Sequence, residues 1–272
     1  MSFSQDTLTE YAEHTFWGNR VINGHSVETT PAGQLDFKIS HRMGRIYQGN
    51  QSAYNFFGLD QSTLRLGLEY GVTDWLTAGV GRTTVDKTFD GFLKVKLLRQ
   101  SKGKRNVPVT ITYLGSAAFN SSKMNYPVNY YSNRLAYTNQ LLIGRKFGDK
   151  LSLQIAPTHI HKNLVPTPDD NNDIYACGFG GRFKISNRVA FVAEYFYLLP
   201  KQSPSGLNGI KVVNSFSLGF DIYTGKHVFQ LHVTNSTSMI EKQFITETID
   251  QWKDGYIHIG FNIVRLFNIA NK

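Results

Sequence analysis

The feature that most constrains this chain is an alternation of period two that recurs from residue 34 to near the C-terminus. In "STLRLGLEYGVTDWLTAGVGR" (62–82), Leu64, Leu66, Leu68 and Tyr70 share one parity while Thr63, Arg65, Gly67 and Glu69 share the other, and the pattern resumes after a short turn. Successive side chains of an extended strand point to opposite faces, so each such stretch predicts a strand with one apolar and one polar side. Twelve stretches read this way, over 34–43, 62–72, 75–85, 89–99, 107–118, 133–146, 151–162, 174–186, 189–199, 213–223, 227–237 and 256–267. Most run about 10–14 residues, well past the five or six of an ordinary strand and suited to tilted strands crossing ~25–30 Å of hydrocarbon.

The links between these strands alternate in length. "VTDW", "FGDK", "SNR" and "YTGK" are tight and carry turn residues, whereas "GRIYQGNQSAYNFFGLDQ", "NSSKMNYPVNYYS", "KNLVPTPDDNND", "KQSPSGLNGIK" and 238–255 are long. "TVDK" is short for its side and "QSKGKRN" long for its side. Aromatic residues fall near both strand ends, with Tyr70, Trp75, Phe147, Phe183, Tyr223 and Phe267 toward the short turns and Tyr113, Tyr137, Tyr175 and Tyr197 toward the long loops. Unequal ends and two aromatic girdles predict an all-β fold, a 12-stranded antiparallel up-and-down transmembrane β-barrel with short periplasmic turns and long extracellular loops. An even strand count then puts both termini in the periplasm.

Periodicity alone leaves open which face meets water, since a soluble ligand-binding barrel alternates equally well with its aliphatic face inward. Eight strands already enclose about as much interior as side chains can fill, so twelve aliphatic-lined strands would leave a void. The aliphatic parity is therefore assigned to lipid and the polar parity to a wet lumen. Lipid-facing residues are then Leu64, Leu66, Leu68, Leu93, Val95, Leu97, Phe216, Leu218, Phe220, Phe229, Leu231, Ile257, Ile259 and Phe261. Lumen-lining residues are Asp36, Lys38, Arg42, Arg65, Glu69, Asp90, Lys94, Lys96, Arg134, Arg182, Lys184, Glu194, Asp221, His232 and His258. Across neighbouring strands Arg182 is expected to face Glu194, and Asp36 or Arg42 to meet Arg65 or Glu69. Such groups form either a weakly anion-favouring passage or a self-neutralising network that stiffens a closed barrel.

Composition removes other classes. Hydrophobic residues make up 41 % and no run approaches the ~20 apolar residues of a membrane helix, which says nothing against a barrel. The net charge of +9 is scattered apart from "RQSKGKR" (99–105), so no nucleic-acid partner is expected. Cys177 is the only cysteine, which excludes an internal disulfide and a cysteine metal cluster. In "MSFSQDTL", Ser2 and Ser4 suit the end of a secretory signal, making 1–4 its remnant. Residues 5–33 lack the alternation but carry Phe16, Trp17, Val21 and Ile22, and are expected to sit in the periplasmic mouth or plug the lumen, ahead of a barrel over 34–272.

No catalytic, cofactor or metal residues are assigned. His159 and His161 in "THIHKN" would serve a lipid-modifying site at the rim or a metal, but no partner serine lines up with them. "PDDNND" (168–173) lacks the ligand spacing of a calcium loop. "GFGGRF" (178–183) lies within a strand with no helix to cradle a phosphate, and Gly67, Gly79, Gly81, Gly178, Gly180, Gly219 and Gly260 share the inward parity, as packing relief would.

The segment "NGHSVET" (23–29), the first strand with Phe37, Ile39, Ser40, His41 and Arg42, the hairpin of "LRLGLEYGVTDW" and "GFDI" (219–222) resemble the DUF5777 family of Bacteroidota outer-membrane β-barrels. The resemblance spans nearly the whole chain. It implies a Gram-negative outer membrane and brings no substrate or catalytic residue. The partners it implies are outer-membrane lipid and the barrel assembly machinery; the charges add small anionic solutes or periplasmic proteins. A channel or a membrane scaffold is the leading functional expectation, with a rim lipid-modifying enzyme as the alternative.

Overall fold

Valine, isoleucine, phenylalanine, tyrosine and threonine at alternate positions fit the pleated surface of a sheet, and a sheet closed on itself has no unpaired edge to satisfy in lipid. A computed structural model describes residues 8–123, 130–200, 210–225 and 227–269, so the proposed signal remnant at 1–4 lies outside the described residues. Twelve antiparallel strands close a barrel in sequential order: β1 Gln34–Arg45, β2 Ser62–Thr73, β3 Leu76–Thr83, β4 Phe89–Leu98, β5 Thr110–Phe119, β6 Leu135–Phe147, β7 Leu151–Lys162, β8 Asp173–Lys184, β9 Val189–Leu198, β10 Ser215–Tyr223, β11 His227–Thr234 and β12 His258–Asn268. The ring is completed by β12 against β1, where Ile263 pairs with Ile39. Both ends of the strand series lie at the short-turn end.

The two faces are cleanly separated. In β2, Leu66 and Leu68 are 44 % and 42 % exposed whereas Arg65 and Glu69 are 1 % and 0 % exposed. The same inversion places Leu93, Leu97, Phe220, Phe229 and Leu231 on the outer surface, with Leu64, Val95, Phe216, Leu218, Ile259 and Phe261 partly covered on that face. Ile257 precedes β12, and its carbonyl accepts from the Ile46 amide. An aliphatic exterior around an ionic interior is stable only in hydrocarbon. Trp75, Phe147, Phe183 and Phe267 form the lower aromatic girdle, and Tyr137, Tyr175 and Tyr197 belong to the upper one. Tyr113 departs from expectation: it lies in the lower half of β5 and its hydroxyl donates to Asn139 Oδ1.

Three features lie outside the alternating pattern. Thr9–Tyr11 pairs with Ser101–Gly103, so the long basic link after β4 docks the start of the N-terminal segment at the barrel mouth. Residues 15–30 then enter the lumen, where Phe16, Val21, Ile22 and Val27 are at most 2 % exposed. From the opposite end, the link between β11 and β12 folds inward around α1 Glu241–Thr246, burying Met239, Ile240, Phe244 and Ile245. The expectation of a lumen filled by charged groups and water is therefore corrected: the chain itself fills the interior, and an apolar core lies inside the barrel.

Candidate functional site

The lumen is the candidate site, occupied by two insertions that meet between its ends. The N-terminal insertion has no regular structure, so its backbone polar groups need partners from the wall. Gln230 Nε2 donates to the Val21 carbonyl at 2.6 Å, Asn262 Nδ2 to Ile22 at 3.1 Å, Gln154 Nε2 to His25 at 2.8 Å and Thr112 Oγ1 to Val27 at 2.8 Å. Lys94 Nζ donates to the carbonyls of Asn19 and Glu28. Glu194 accepts three amides in succession, from Ile22 at 3.1 Å, Asn23 at 3.1 Å and Gly24 at 2.8 Å. A side chain at Gly24 would collide with the Phe196 ring, 2.8 Å from an ideal Cβ, and with Glu194 itself. Glycine is needed there for close approach rather than for an unusual backbone angle.

The apolar side chains of the insertion face one arc of the wall. Phe16, Val21 and Val27 pack with Phe92, Leu114, Leu142 and Ala156. Above them Phe244 and Ile245 of the second insertion pack with Ile160, Ile174, Ala176, Phe196, Leu198 and Val212, the Phe196 and Phe244 rings meeting edge to face at 5.0 Å. Inward glycines admit these bodies: Val21 lies over Gly180, Val27 over Gly144 and Phe196 over Gly178.

The opposite arc carries most of the buried charge. Glu69 accepts from Lys38 Nζ at 3.1 Å and from Asn19 Nδ2 at 2.9 Å, while Asn19 also reaches Asp36 at 3.3 Å. Arg65 embraces Asp90 through Nε and Nη2, its guanidinium lying over Gly67 and Gly81. The insertions join where Arg20 Nη1 donates to Glu241 Oε1 at 2.9 Å, with His25 Nε2 at 3.4 Å from the same oxygen.

The structure places Asp36, Lys38, Arg42, Arg65, Glu69, Asp90, Lys94, Arg182, Glu194, Asp221, His232 and His258 inside, all at most 7 % exposed. Lys96 and Lys184 lie toward the short-turn mouth and are partly exposed, Lys96 facing Glu28 at 3.5 Å. Of the two pairings expected from the sequence, the first is corrected and the second is met in register but not as an ion pair. Arg182 pairs in register with Val192, and Glu194 with Gly180: the turn length keeps the parity but shifts the register by two residues. Arg182 instead lies 5.2 Å from the Trp17 ring centre. Asp36 stands opposite Glu69, like charge facing like charge, and Arg65 turns away from both toward Asp90. Arg134 does not line the barrel: it sits in the turn before β6 and donates to the carbonyls of Asn120 and Ser122. His159 Nε2 and His161 Nδ1, on the outer face, both contact Asp173 Oδ1 at 2.8 Å. Sequence reasoning missed Arg20, Asn23, His25 and Glu241, which carry the junction between the insertions.

Inside the barrel, the cavities among the described residues lie along the charged arc. A vestibule of about 880 Å³ at the long-loop end is bounded by Arg42, Arg45, Tyr47, Gln61, Asp250 and His258, among others. A cavity of about 350 Å³ at the short-turn end is bounded by Trp17, Asn19, Asp36 and Lys96. Between them lies a pocket of about 20 Å³ beside Arg20, Lys38, Gln230 and Asn262.

An inside-out, twelve-stranded barrel with unequal ends is the architecture of an outer-membrane β-barrel protein. The chain belongs to the family described as "Membrane bound beta barrel domain (DUF5777)", whose model matches residues 16–267, so the inserted segment is part of the family's domain. The fold is similar to that of the NanC porin, at 10 % identity and TM-score 0.51 over 87 % of this chain and 100 % of the porin. It is also similar to the COG4313 outer membrane channel from Pseudomonas putida F1, at 13 % identity and TM-score 0.50 over 89 % of this chain and 98 % of the channel. No curated protein matches the sequence.

Proposed function

We propose that this chain is a non-catalytic, plug-gated channel for small solutes in the outer membrane of a Gram-negative bacterium, held here in its closed state. The short-turn end and both termini face the periplasm in this reading, and lipid and the barrel assembly machinery are its partners. The carrying observation is the meeting of the two insertions at Arg20 and Glu241, between a vestibule of about 880 Å³ and a cavity of about 350 Å³. Cavities on both sides of a constriction, all along one polar arc, are what a blocked passage leaves. A purely structural barrel has no need of them.

Planar-bilayer recording tests this. The full chain is expected to show rare openings, and deletion of residues 13–33 a persistent conductance, with heat-modifiable gel migration reporting that each barrel is folded. Two folded barrels that pass no current would replace the channel with a closed scaffold. The outer-face histidines each turn one ring nitrogen, His159 Nε2 and His161 Nδ1, to the same Asp173 oxygen, and this contact gives the rim-enzyme alternative no nucleophile.

A further inference from the structure

Three arginines border or lie near the vestibule, and they differ in one respect. Arg45 presents Nε and Nη2 to the two oxygens of Asp250, and Arg65 presents the same edge to Asp90. That edge is the geometry of a bidentate guanidinium–carboxylate pair. Arg42 has no carboxylate there. Its Nη1 donates to the His41 carbonyl at 2.8 Å and to Asn262 Oδ1 at 3.1 Å, its Nη2 donates to Asn23 Oδ1 at 2.7 Å, and its Nε has no acceptor among the described residues although the side chain is 1 % exposed. A buried charged donor without an acceptor is costly, and the amide oxygen of Asn23 satisfies half of an edge shaped for an oxyanion.

Arg42 also borders the vestibule, and Asn23 lies in the turn of the plug closed by the Arg20–His25 bridge and the Val21 amide on the Gly24 carbonyl. Around that turn, Glu194 holds the backbone amides of residues 22–24, Asn23 Nδ2 donates to Ser217 Oγ at 3.2 Å, and Arg42 holds the remaining amide oxygen. Arg42 thus borders the vestibule while its buried guanidinium grips the plug through Asn23.

We propose that the floor of the vestibule recognises a small carboxylate-bearing solute, which takes the Nε–Nη2 edge of Arg42 from Asn23 and so loosens the plug. This rests on the plugged-channel reading and names its solute class and trigger. The carboxylate gains two charge-assisted bonds where Asn23 offered one neutral acceptor, so its binding favours the state in which Asn23 has left. Gln61, Ser62 and Thr63 bound the same space and supply further polar contacts.

The test uses the full chain in detergent, succinate as probe and succinamide, its uncharged analogue, as control. Hydrogen exchange of the amides of residues 21–25 reads the plug turn directly and does not depend on conduction. Succinate is expected to speed that exchange roughly tenfold, the scale set by replacing one neutral acceptor of the guanidinium with a charged, bidentate one, and succinamide to leave it unchanged. Arg42→Lys keeps the charge, lacks the forked edge and should not respond. Asn23→Asp keeps the shape of the turn and gives Arg42 a resident carboxylate, so it should exchange more slowly and ignore succinate. Equal effects of succinate and succinamide, or an Asn23→Asp chain that responds like the parent, would overturn the proposal. In bilayers, a plug-deleted barrel that conducts beside a parent indifferent to succinate removes this inference alone. Absence of current from both removes the channel reading, while the exchange result still decides whether Arg42 binds the carboxylate.

Discussion

The wall of the lumen has two unlike arcs. From β5 to β9 its inward positions include Leu114, Leu142, Ala156, Ile160, Ile174, Ala176, Val192 and Phe196, all buried beneath the insertions. From β10 through β12 and on to β4 they include Asp221, His232, Asn262, Lys38, Arg42, Arg65, Glu69 and Lys94. The insertions pack their apolar side chains against the first arc, and hydrogen bonds from both arcs, Thr112, Gln154 and Glu194 on the first and Gln230, Asn262 and Lys94 on the second, tie the plug backbone. The deep cavities between the two mouths border the second arc only. Apolar contact excludes water and fixes position, whereas paired charges tolerate both water and rearrangement. On the proposed channel reading the arcs divide the work: the first anchors the insertions and the second would hold the route.

Placing a charge on the anchoring arc is the strongest way to break this division. Leu142 is fully buried in the cluster with Val27, so Leu142→Lys buries an unpaired ammonium and should cost the docked plug at least about 4 kcal/mol. Trypsin would then cut after Arg20, which the parent keeps buried; an uncut plug in a folded barrel would contradict the anchoring role.

Removing charge from the route arc should show a different signature. Arg65→Met or Asp90→Leu alone strands a buried charge and should cost roughly 3–5 kcal/mol, while the double variant should cost far less because an apolar pair of similar volume needs no partner. Thermal loss of heat-modifiable migration across the four chains measures the coupling. Additive losses would mean that the pair does not act as a unit.

The hydrogen bonds that tie the plug backbone are smaller levers. Thr112 is fully buried and its hydroxyl donates to the Val27 carbonyl, so Thr112→Val leaves that oxygen without a donor at about 1–2 kcal/mol. Hydrogen exchange at residues 26–28 should rise while the rest of the plug stays protected. Exchange that rises evenly from 15 to 30 would instead make the plug one cooperative unit.

These contrasts also mark how far the sequence could be read. The barrel was legible because Leu66 and Arg65, or Phe220 and Asp221, announce opposite faces within two residues. The anchoring arc was less so: in "TITYLGSAAF" the inward Leu114 is as apolar as the outward Ile111, and parity loses its meaning where both faces are dry. The plug gives no period at all, since its partners are remote; Asn23 meets Glu194 and Ser217 through wall geometry that no local pattern encodes. Charge pairing failed for a related reason. Arg65 reaches past its neighbouring strand to Asp90 because Gly67 and Gly81 leave it room, and a residue-opposite-residue rule does not anticipate that reach.

The mildest test concerns Lys162, a charged exception at the long-loop end of the anchoring arc. Its Nζ lies 3.1 Å from Glu247 Oε1, and Lys242 Nζ lies 2.8 Å from the same oxygen, so the second insertion is latched beside its apolar contacts. Burial works against ionisation of Glu247, yet the two lysines outweigh it and hold its pKa at about 2, below the ordinary 4.5. A folded-state pKa lowered in this way stabilises the docked insertion fully above the unfolded value, and that contribution is lost as pH falls through about 2. With the carboxylate 30 % exposed, solvent screening limits the effect to about 1 kcal/mol. Pepsin, active across this range, should cleave beside the buried Phe244 increasingly as pH drops from 4.5 to 2, measured relative to Glu247→Gln, which lacks the titrating group. A constant ratio of the two cleavage rates would mean that apolar packing around Phe244 holds the insertion without the latch.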